Sequence, residues 1–283
     1  MAAPLLVLAA HTLSGVMPGD TLAARHDLRV RLAAASAAGF AGICVHLRDY
    51  AALRQSGWSD AAVREAFAAV GLSVPAIEFL PDWHHQTDEA ALRRDLAFEA
   101  ARALGAPVIT AGLDALGDAP DLDALAAPLG DLCERAQAQG LRIALEPVAW
   151  GQGKRLQDAL SLIDKSGGQA GLLIDIWHLA WRAIPPADLC LIPPALVLGL
   201  QISDSAAPHH GDESRARVET LRRKPCGQGA LDIGGYLGVA AACGWTAPIA
   251  VEIIAPEFAA FDVAKAAACA YDTASPYVTS AWS

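Results

Sequence analysis

Short apolar segments alternate with alanine-rich, helix-forming segments along the whole chain, and this alternation limits the possible folds more than any other feature. Eight apolar segments have the length and composition of strands. They cover residues 4–10, 42–47, 73–79, 106–112, 142–147, 171–176, 196–203 and 248–254. The helix-forming segments lie at 20–38, 59–70, 87–104, 121–139, 155–166, 178–190, 230–243 and 259–274. This order predicts parallel strands joined by helical crossovers.

Eight strand–helix units in 283 residues predict one α/β domain, a (β/α)8 TIM barrel that spans residues 1–283. An open, doubly wound sheet is the rival fold. That fold typically has a glycine-rich turn after its first strand, and the segment AAHTLSGVMPGD at 9–20 lacks the GxGxxG pattern. The longest irregular segment is 203–229, and loops of this length are often functional. Its His209 and His210 are expected to face solvent.

Four oxygen-bearing side chains stand at the ends of four successive predicted strands, where the active sites of barrels lie. They are Glu146, Asp175, Gln201 and Glu252. Each alone could be a helix N-cap, a salt-bridge partner or a chance polar residue. Together, in an apolar setting, they would repel one another unless a cation lay between them. Oxygen ligands suit Mg²⁺ or Mn²⁺, so the pattern predicts one such divalent cation.

The same residues resemble the motifs of a known superfamily. Glu146, the pair Asp175 and His178 as Asp-x-x-His, the segment QISD at 201–204, and Glu252 resemble the xylose isomerase-like superfamily. Its members include sugar isomerases and epimerases, inosose dehydratase, 3-dehydroshikimate dehydratase and endonuclease IV. The segment RKPCGQG at 223–229 is similar to the Arg-x-x-Pro-Gly-x-Gly loop of that superfamily.

The resemblance implies a role for each matching residue. It places Glu146, Asp175, Gln201 and Glu252 at metal-ligand positions, and it makes Glu146 and Glu252 catalytic as well. His178 is expected to be catalytic and to contact substrate rather than the metal, because a catalytic metal must keep positions open. Arg223 is expected to bind substrate, on a loop that closes as a lid.

Two departures from the superfamily pattern bear on the chemistry. Gln201 stands where histidine is common, which weakens the case for zinc, and some 3-dehydroshikimate dehydratases resemble this pattern. Cys226 stands where proline is usual. Glu78 and His84 are also expected to contact substrate, while His46 and His85 are left open.

The leading functional interpretation is a metal-dependent isomerase or epimerase that acts on a non-phosphorylated keto-sugar or polyol through an enediolate. A metal-dependent dehydratase of the 3-dehydroshikimate or inosose type shares that intermediate and is the first alternative. A non-catalytic sugar-binding barrel is the second alternative. Endonuclease activity is disfavoured, because the additional histidines of a three-zinc cluster are missing.

The charge and the cysteines limit partners and location. A net charge of −10 without basic runs disfavours nucleic acid and anionic membranes as partners and leaves a small-molecule substrate. Six cysteines without a CxxC pair predict reduced thiols in the cytoplasm. A homo-oligomer is left open.

Overall fold

The computed structural model describes residues 3–208 and 212–283, so His209 and His210 lie outside the described residues. Eight strands form one sheet. They are β1 (Leu6–Leu8), β2 (Val45–His46), β3 (Ala76–Leu80), β4 (Val108–Leu113), β5 (Arg142–Pro147), β6 (Gly171–Asp175), β7 (Val197–Ile202) and β8 (Ile249–Val251). All their pairings are parallel, in the order β1-β8-β7-β6-β5-β4-β3-β2. Pairing of the first strand with the last is expected of a barrel rather than of an open doubly wound sheet.

The two end strands of the sheet meet at a short contact. Leu8 and Ile43 form an isolated parallel bridge. Leu8 N donates to Gly42 O at 3.0 Å, and Cys44 N donates to Leu8 O at 2.8 Å. The sheet therefore curls as in an α/β barrel, but the described residues contain no continuous ladder between β1 and β2. The predicted α/β class and eight parallel strands are confirmed.

Helices follow the strands and cover the outside of the sheet. They are α1 (Leu28–Ala38), α2 (Leu47–Gln55), α3 (Asp60–Ala69), α4 (Asp88–Leu104), α5 (Ala126–Gln137), α6 (Leu156–Lys165), α7 (Ile176–Trp181), α8 (Glu213–Glu219), α9 (Ile233–Ala242), α10 (Pro256–Ala259) and α11 (Val263–Ala281). Short 3₁₀ helices lie at Asp123–Leu125, Pro186–Leu191 and Pro194–Leu196. No described helix has both the length and the apolar character needed to cross a membrane.

Side chains alternate between two faces along each strand, and this alternation positions the polar strand ends. In β6, Leu172 and Ile174 belong to the large core that packs against the helices. Leu173 instead joins a small cluster with Ala144 inside the curled sheet. Asp175, two residues after Leu173, therefore faces the interior as well, at the carboxyl end of the strand.

Most predicted helices are present, with local differences in their bounds. The predicted helix 20–38 starts only at Leu28, where the side chain of Asp27 accepts from Arg29 N at 2.8 Å. It ends at Gly39, whose φ of 105° is the left-handed conformation that suits glycine. The predicted helix 178–190 is divided into α7 and a 3₁₀ helix, because Pro185 and Pro186 cannot continue an α-helix.

The prediction of six reduced cysteines is wrong for one pair. Cys190 and Cys243 form a disulfide, with Cα atoms 5.7 Å apart. Cys190 lies in the 3₁₀ helix Pro186–Leu191, and Cys243 directly follows α9. Packing of these two elements brings together residues that are 53 positions apart in sequence, which spacing alone could not indicate. The other four cysteines are free.

Candidate active site

Four side chains predicted to bind metal lie together at the carboxyl ends of β5 to β8. Glu146 is in β5, Asp175 ends β6, Gln201 is in β7, and Glu252 directly follows β8. Asp175 and Gln201 are register partners on adjacent strands. All four are at least nine-tenths buried. The parallel sheet thus concentrates three acidic groups and one amide in a small volume with little water.

Asp175 has two partners, one for each carboxylate oxygen. Its Oδ1 accepts from Trp177 N at 2.9 Å and caps α7. Its Oδ2 lies 2.7 Å from Arg223 Nη1. The same Nη1 lies 2.9 Å from Glu252 Oε2. Arg223 therefore neutralises two of the proposed metal ligands, because buried carboxylates require a nearby positive charge.

This geometry limits the substrate-binding role predicted for Arg223, although the residue does line the cavity described below. Its side chain is buried, and Nη1 also lies 3.4 Å from Ser203 Oγ, while Nη2 donates to Thr220 Oγ1 at 3.2 Å. The guanidinium is thus held by protein groups and is not free to form a bidentate contact with a substrate carboxylate.

Arg223 does not balance all of the negative charge. Three carboxylates face one guanidinium, and burial together with Glu252 and Asp175 raises the pKa of Glu146 well above its ordinary value. Burial also raises the pKa of Glu252 to about 8, although Arg223 opposes the shift. Among the described residues, Glu146 forms no ion pair with lysine or arginine within 4.0 Å; its neighbour is His178 Nε2 at 3.6 Å. The described side chains of the site therefore supply less positive charge than three ionised carboxylates require.

The donor set fits a hard divalent cation. Gln201 Nε2 lies 3.4 Å from Glu252 Oε1, whereas the buried Gln201 Oε1 has no hydrogen-bond partner among the described residues. A carbonyl oxygen left unpaired beside carboxylates is a good ligand for such an ion. A cation held by all four side chains would share this space with the Arg223 guanidinium.

His178 is buried against the same carboxylates. Its Nδ1 accepts from Ala149 N at 3.1 Å, and burial lowers its pKa to about 3. A neutral imidazole that accepts at Nδ1 carries its proton on Nε2. That Nε2 lies 3.6 Å from Glu146 Oε1 and 3.7 Å from Asp175 Oδ2. The ring therefore presents an N–H donor to the site. One potential ligand atom from each of Glu146, Asp175 and His178 nevertheless lies within 4.8 Å of the other two, close enough for the three to hold an ion.

A cavity of about 350 Å³ opens onto these residues. Glu78 lines it, as predicted, and its Oε2 accepts from Ala10 N at 2.9 Å. Burial raises the pKa of Glu78 to about 7. His46 also lines the cavity, together with His11, which the sequence analysis missed. His11 directly follows the first predicted strand, 4–10, so the strand-end rule that identified Glu146 could have found it.

The rim of the cavity carries a second arginine. Arg217, in α8, donates from Nη2 to Leu116 O at 3.0 Å, and its Cζ lies 5.2 Å from the centre of the Trp150 ring. Arg217 and Trp150 both line the cavity. Among the described residues, Arg217 forms no ion pair with a carboxylate within 4.0 Å. The sequence analysis overlooked it because the segment 203–229 was treated as irregular.

His84 does not line this cavity within the described part of the chain. It lies with His85 beside Asp118, on the loops that follow β3 and β4. The predicted contact of His84 with substrate is therefore not supported by its position. Trp150 lines the cavity, whereas Trp83 and Trp177 are buried outside its described lining.

The segment 223–229 is fixed rather than free to close. Asp204 and Lys224 exchange backbone hydrogen bonds of 2.8 and 2.7 Å. The buried Asp204 carboxylate accepts from Ser205 N, Gly229 N and Leu231 N at 2.8–3.0 Å. These bonds disfavour the predicted lid movement. Cys226 is buried, which raises its pKa to about 12, so its thiol stays protonated and unreactive at neutral pH.

A larger, apolar cavity of about 620 Å³ lies at the opposite, amino-terminal end of the strands, between Leu5, Val74 and Leu198. It contains none of the candidate residues. The larger cavity therefore lies apart from the candidate catalytic residues, and the smaller cavity, which they line, is the candidate active site.

The profile of the family described as xylose isomerase-like TIM barrel matches residues 32–272. Two curated relatives, the 3-dehydroshikimate dehydratases of Pseudomonas aeruginosa and Pseudomonas putida, are each 28% identical over 250 residues. The match covers 85% of this chain and 38% of each relative, so the chain spans about two fifths of their length.

Two solved structures show the same fold. The IolI protein, whose crystal structure contains a bound zinc atom, gives a TM-score of 0.84 at 17% identity over 99% of both chains. L-ribulose 3-epimerase gives a TM-score of 0.71 at 19% identity, over 98% of this chain and 95% of its own. At these identities the similarity concerns the fold alone.

Proposed function

Because the chain belongs to the family of xylose isomerase-like TIM barrels, we propose that it is a divalent-metal-dependent enzyme that removes a proton from a carbon beside a substrate carbonyl. One observation carries this proposal. Glu146, Asp175, Gln201 and Glu252 are buried together at the strand ends, and three of these four line a cavity large enough for a small substrate.

The four side chains are the proposed ligands, and their oxygen atoms favour Mn²⁺ or Mg²⁺. When bound, such a cation supplies positive charge that stabilises the negative charge developing on a substrate oxygen. Lysine is absent from the described cavity lining, and Arg223 is engaged with carboxylates. Among the described lining residues, only Arg217 remains for a substrate anion. One cation balances the single charge of a carboxylate but not the charge of nearly two on a phosphate ester, so we propose a non-phosphorylated substrate.

The remaining chemistry is assigned to groups of the chain itself. His178 Nε2–H donates a hydrogen bond to a substrate oxygen, since its Nδ1 is already occupied by Ala149 N. A carboxylate is then the better base, because the neutral His178 has no free nitrogen lone pair to accept a proton. Arg223 opposes the rise in the pKa of Glu252 that burial causes, and so favours its carboxylate form. We therefore assign proton removal to a carboxylate, that of Glu252 or Glu146.

We place dehydration first among the possible reactions. The two curated relatives, both 3-dehydroshikimate dehydratases, support this order. A keto-acid substrate also requires a cation beside its carboxylate. Arg217 at the rim offers a cation without a carboxylate partner to the carboxylate of such a substrate. The base removes the α-proton, the electron pair forms a carbon–carbon double bond, and the β-hydroxyl leaves with a proton as water.

Isomerisation or epimerisation of a keto-sugar, the leading interpretation from the sequence, is the second candidate. The specific observation in its favour is the pair Glu146 and Glu252, two buried carboxyl groups with raised pKa at the ends of β5 and β8, which both line the same cavity. One could remove a proton and the other could return it. A non-catalytic sugar-binding barrel is the alternative without chemistry.

A substrate panel tests the proposal. Metal-stripped protein is reloaded with Mn²⁺ or Mg²⁺ and incubated with 3-dehydroshikimate, inososes and keto-sugars. We expect metal-dependent loss of water from 3-dehydroshikimate, with an aromatic product detected by ultraviolet absorbance. Glu252→Gln should lower both metal content and turnover.

The variant Arg217→Gln should raise KM for the carboxylate substrate roughly tenfold or more, because a charge-assisted contact is lost. Arg215→Gln, on the same helix and outside the cavity, is the matched control. Epimerised sugar without dehydration would select the second candidate. Metal or sugar binding without any product would select the non-catalytic barrel.

A further inference from the structure

A second cluster of metal-ligating side chains lies on two neighbouring loops, away from the cavity lining. His84 and His85 lie between β3 and α4, and Asp118 follows β4. Asp118 Oδ1 is 3.4 Å from His84 Nε2 and 3.2 Å from His85 Nε2. One ligand atom from each of the three residues lies within 4.8 Å of the others.

The described residues do not fully satisfy the hydrogen-bonding groups of the buried His84 ring. Its side chain is only 7% exposed, and both ring nitrogens are buried without a hydrogen bond from the described residues. A buried polar group without a partner costs about 1–3 kcal/mol. A hydrogen bond between His85 and Asp118 satisfies those two residues. It leaves His84 Nε2 with only a 3.4 Å contact to Asp118 Oδ1, and His84 Nδ1 with no partner among the described residues.

We propose that His84, His85 and Asp118 form a second metal site, which takes a borderline transition-metal ion such as Zn²⁺. Tetrahedral zinc with bonds of about 2.0–2.2 Å places neighbouring ligand atoms about 3.3–3.6 Å apart. The observed separations of 3.4 and 3.2 Å from Asp118 Oδ1 are close to these values. Two imidazoles and one carboxylate favour zinc over Mg²⁺ or Mn²⁺, in contrast to the all-oxygen set of the active site.

The loop that carries both histidines is well fixed before any ion binds. Arg94 Nη1 donates to the carbonyl oxygens of Trp83 and His85 at 3.0 and 2.7 Å. Trp83 Nε1 donates to Gly112 O in β4 at 2.8 Å. Such fixed surroundings orient ligands and strengthen metal binding. An ion here would link the loops that follow β3 and β4.

The fourth coordination position would face solvent. Asp118 is 47% exposed and His85 is 29% exposed, whereas His84 lies beneath them. Water can therefore complete the coordination, and the ion can enter from outside. This exposure also makes Asp118 and His85 suitable for substitution without disturbing the core.

The test uses untagged, metal-stripped protein and Zn²⁺ as the only added ion. Calorimetric titration and elemental analysis after dialysis give the number of bound ions. The titrations are made in the Glu252→Gln background as well as in the unmodified chain, so that failure of the active-site proposal does not obscure the result. We expect one zinc ion to remain bound in Glu252→Gln.

Asp118→Asn or His85→Gln, added to Glu252→Gln, should lower zinc affinity at least tenfold. Asp88→Asn, an exposed aspartate at the start of α4, is the matched control and should have no effect. With Co²⁺ as a probe, visible absorption of a nitrogen-ligated site should disappear in His85→Gln and persist in Asp88→Asn. Unchanged zinc affinity and cobalt absorption in both cluster variants would overturn the proposal.

Discussion

Asp175 shows how much of a site one residue can reveal, and how much it cannot. An N-cap was one of the roles that its position at a predicted strand end allowed, and the hydrogen bond from Trp177 N shows that Asp175 does cap α7. Its second oxygen was expected to face a metal, yet Arg223 lies beside it. Arg223 is 48 positions further along the chain, and only the folded arrangement of β6, β7 and the segment after α8 brings the two together.

The same limit applies to His178. Its spacing from Asp175 predicted that both side chains face the strand ends, and they do. The tautomer could not be predicted, because it depends on Ala149 N, which comes from the loop after β5. Local spacing therefore identifies the residue, whereas the position of its ring proton is set by a contact between α7 and the loop after β5.

His178→Asn should keep the bound metal and lose turnover. Asparagine is too short to place a donor where Nε2–H lies, and loss of one well-placed donor typically lowers kcat by roughly 10²-fold. Metal content and steady-state kinetics are measured on the same samples. His26→Asn, outside the cavity lining, is the control. Loss of metal together with activity would instead identify His178 as a ligand.

At the scale of elements, strands were easier to predict than short helices. The fifth strand matches its predicted bounds of 142–147, because apolar residues are flanked there by a glycine and a turn. The sequence analysis missed α2, which begins immediately after β2 with a histidine N-cap, His46 Nδ1 accepting from Arg48 N. Helix α8 was missed because its seven residues are mostly polar, and tertiary contacts such as that of Arg217 with Leu116 O position it.

The segment 223–229 offers a test at this scale. Asp204→Asn replaces an oxygen that accepts from Gly229 N with an amide group that cannot accept. Because Asp204 is buried, we expect the free energy of unfolding to fall by about 1–3 kcal/mol. Urea unfolding followed by circular dichroism measures the change.

Asp262→Asn is the matched control, since Asp262 is an exposed N-cap of α11 and asparagine caps nearly as well. It should change stability by only a few tenths of a kcal/mol. Equal destabilisation by the two variants would show that Asp204 does not fix the segment as the structure indicates.

At the scale of the whole molecule, the alternating segments predicted the parallel sheet and the end of the sheet where polar residues gather. That pattern could not predict the disulfide between Cys190 and Cys243, because the disulfide depends on how the 3₁₀ helix Pro186–Leu191 packs on α9. The curl of the sheet also brings His11 and His46 together, with ring centres 4.8 Å apart. These two half-buried histidines, whose pKa values lie below the ordinary 6.5, make stability depend on pH.

Burial lowers the pKa of His11 from 6.5 to about 4, with Arg48 adding to the shift. Between these two pH values, the unfolded chain binds a proton at His11 that the folded protein does not. The stability that the neutral His11 contributes is therefore fully present above pH 6.5 and is lost as the pH drops towards 4, with a slope of up to ~1.4 kcal/mol per pH unit from this residue. His11→Gln should reduce that slope, as measured by urea unfolding at several pH values from 7.5 to about 4. His26→Gln, outside the cavity lining, should leave a larger part of the slope intact. A slope that is the same in His11→Gln and in the unmodified protein would show that His11 is not held neutral by burial, because the variant has no group at this position that titrates in that range.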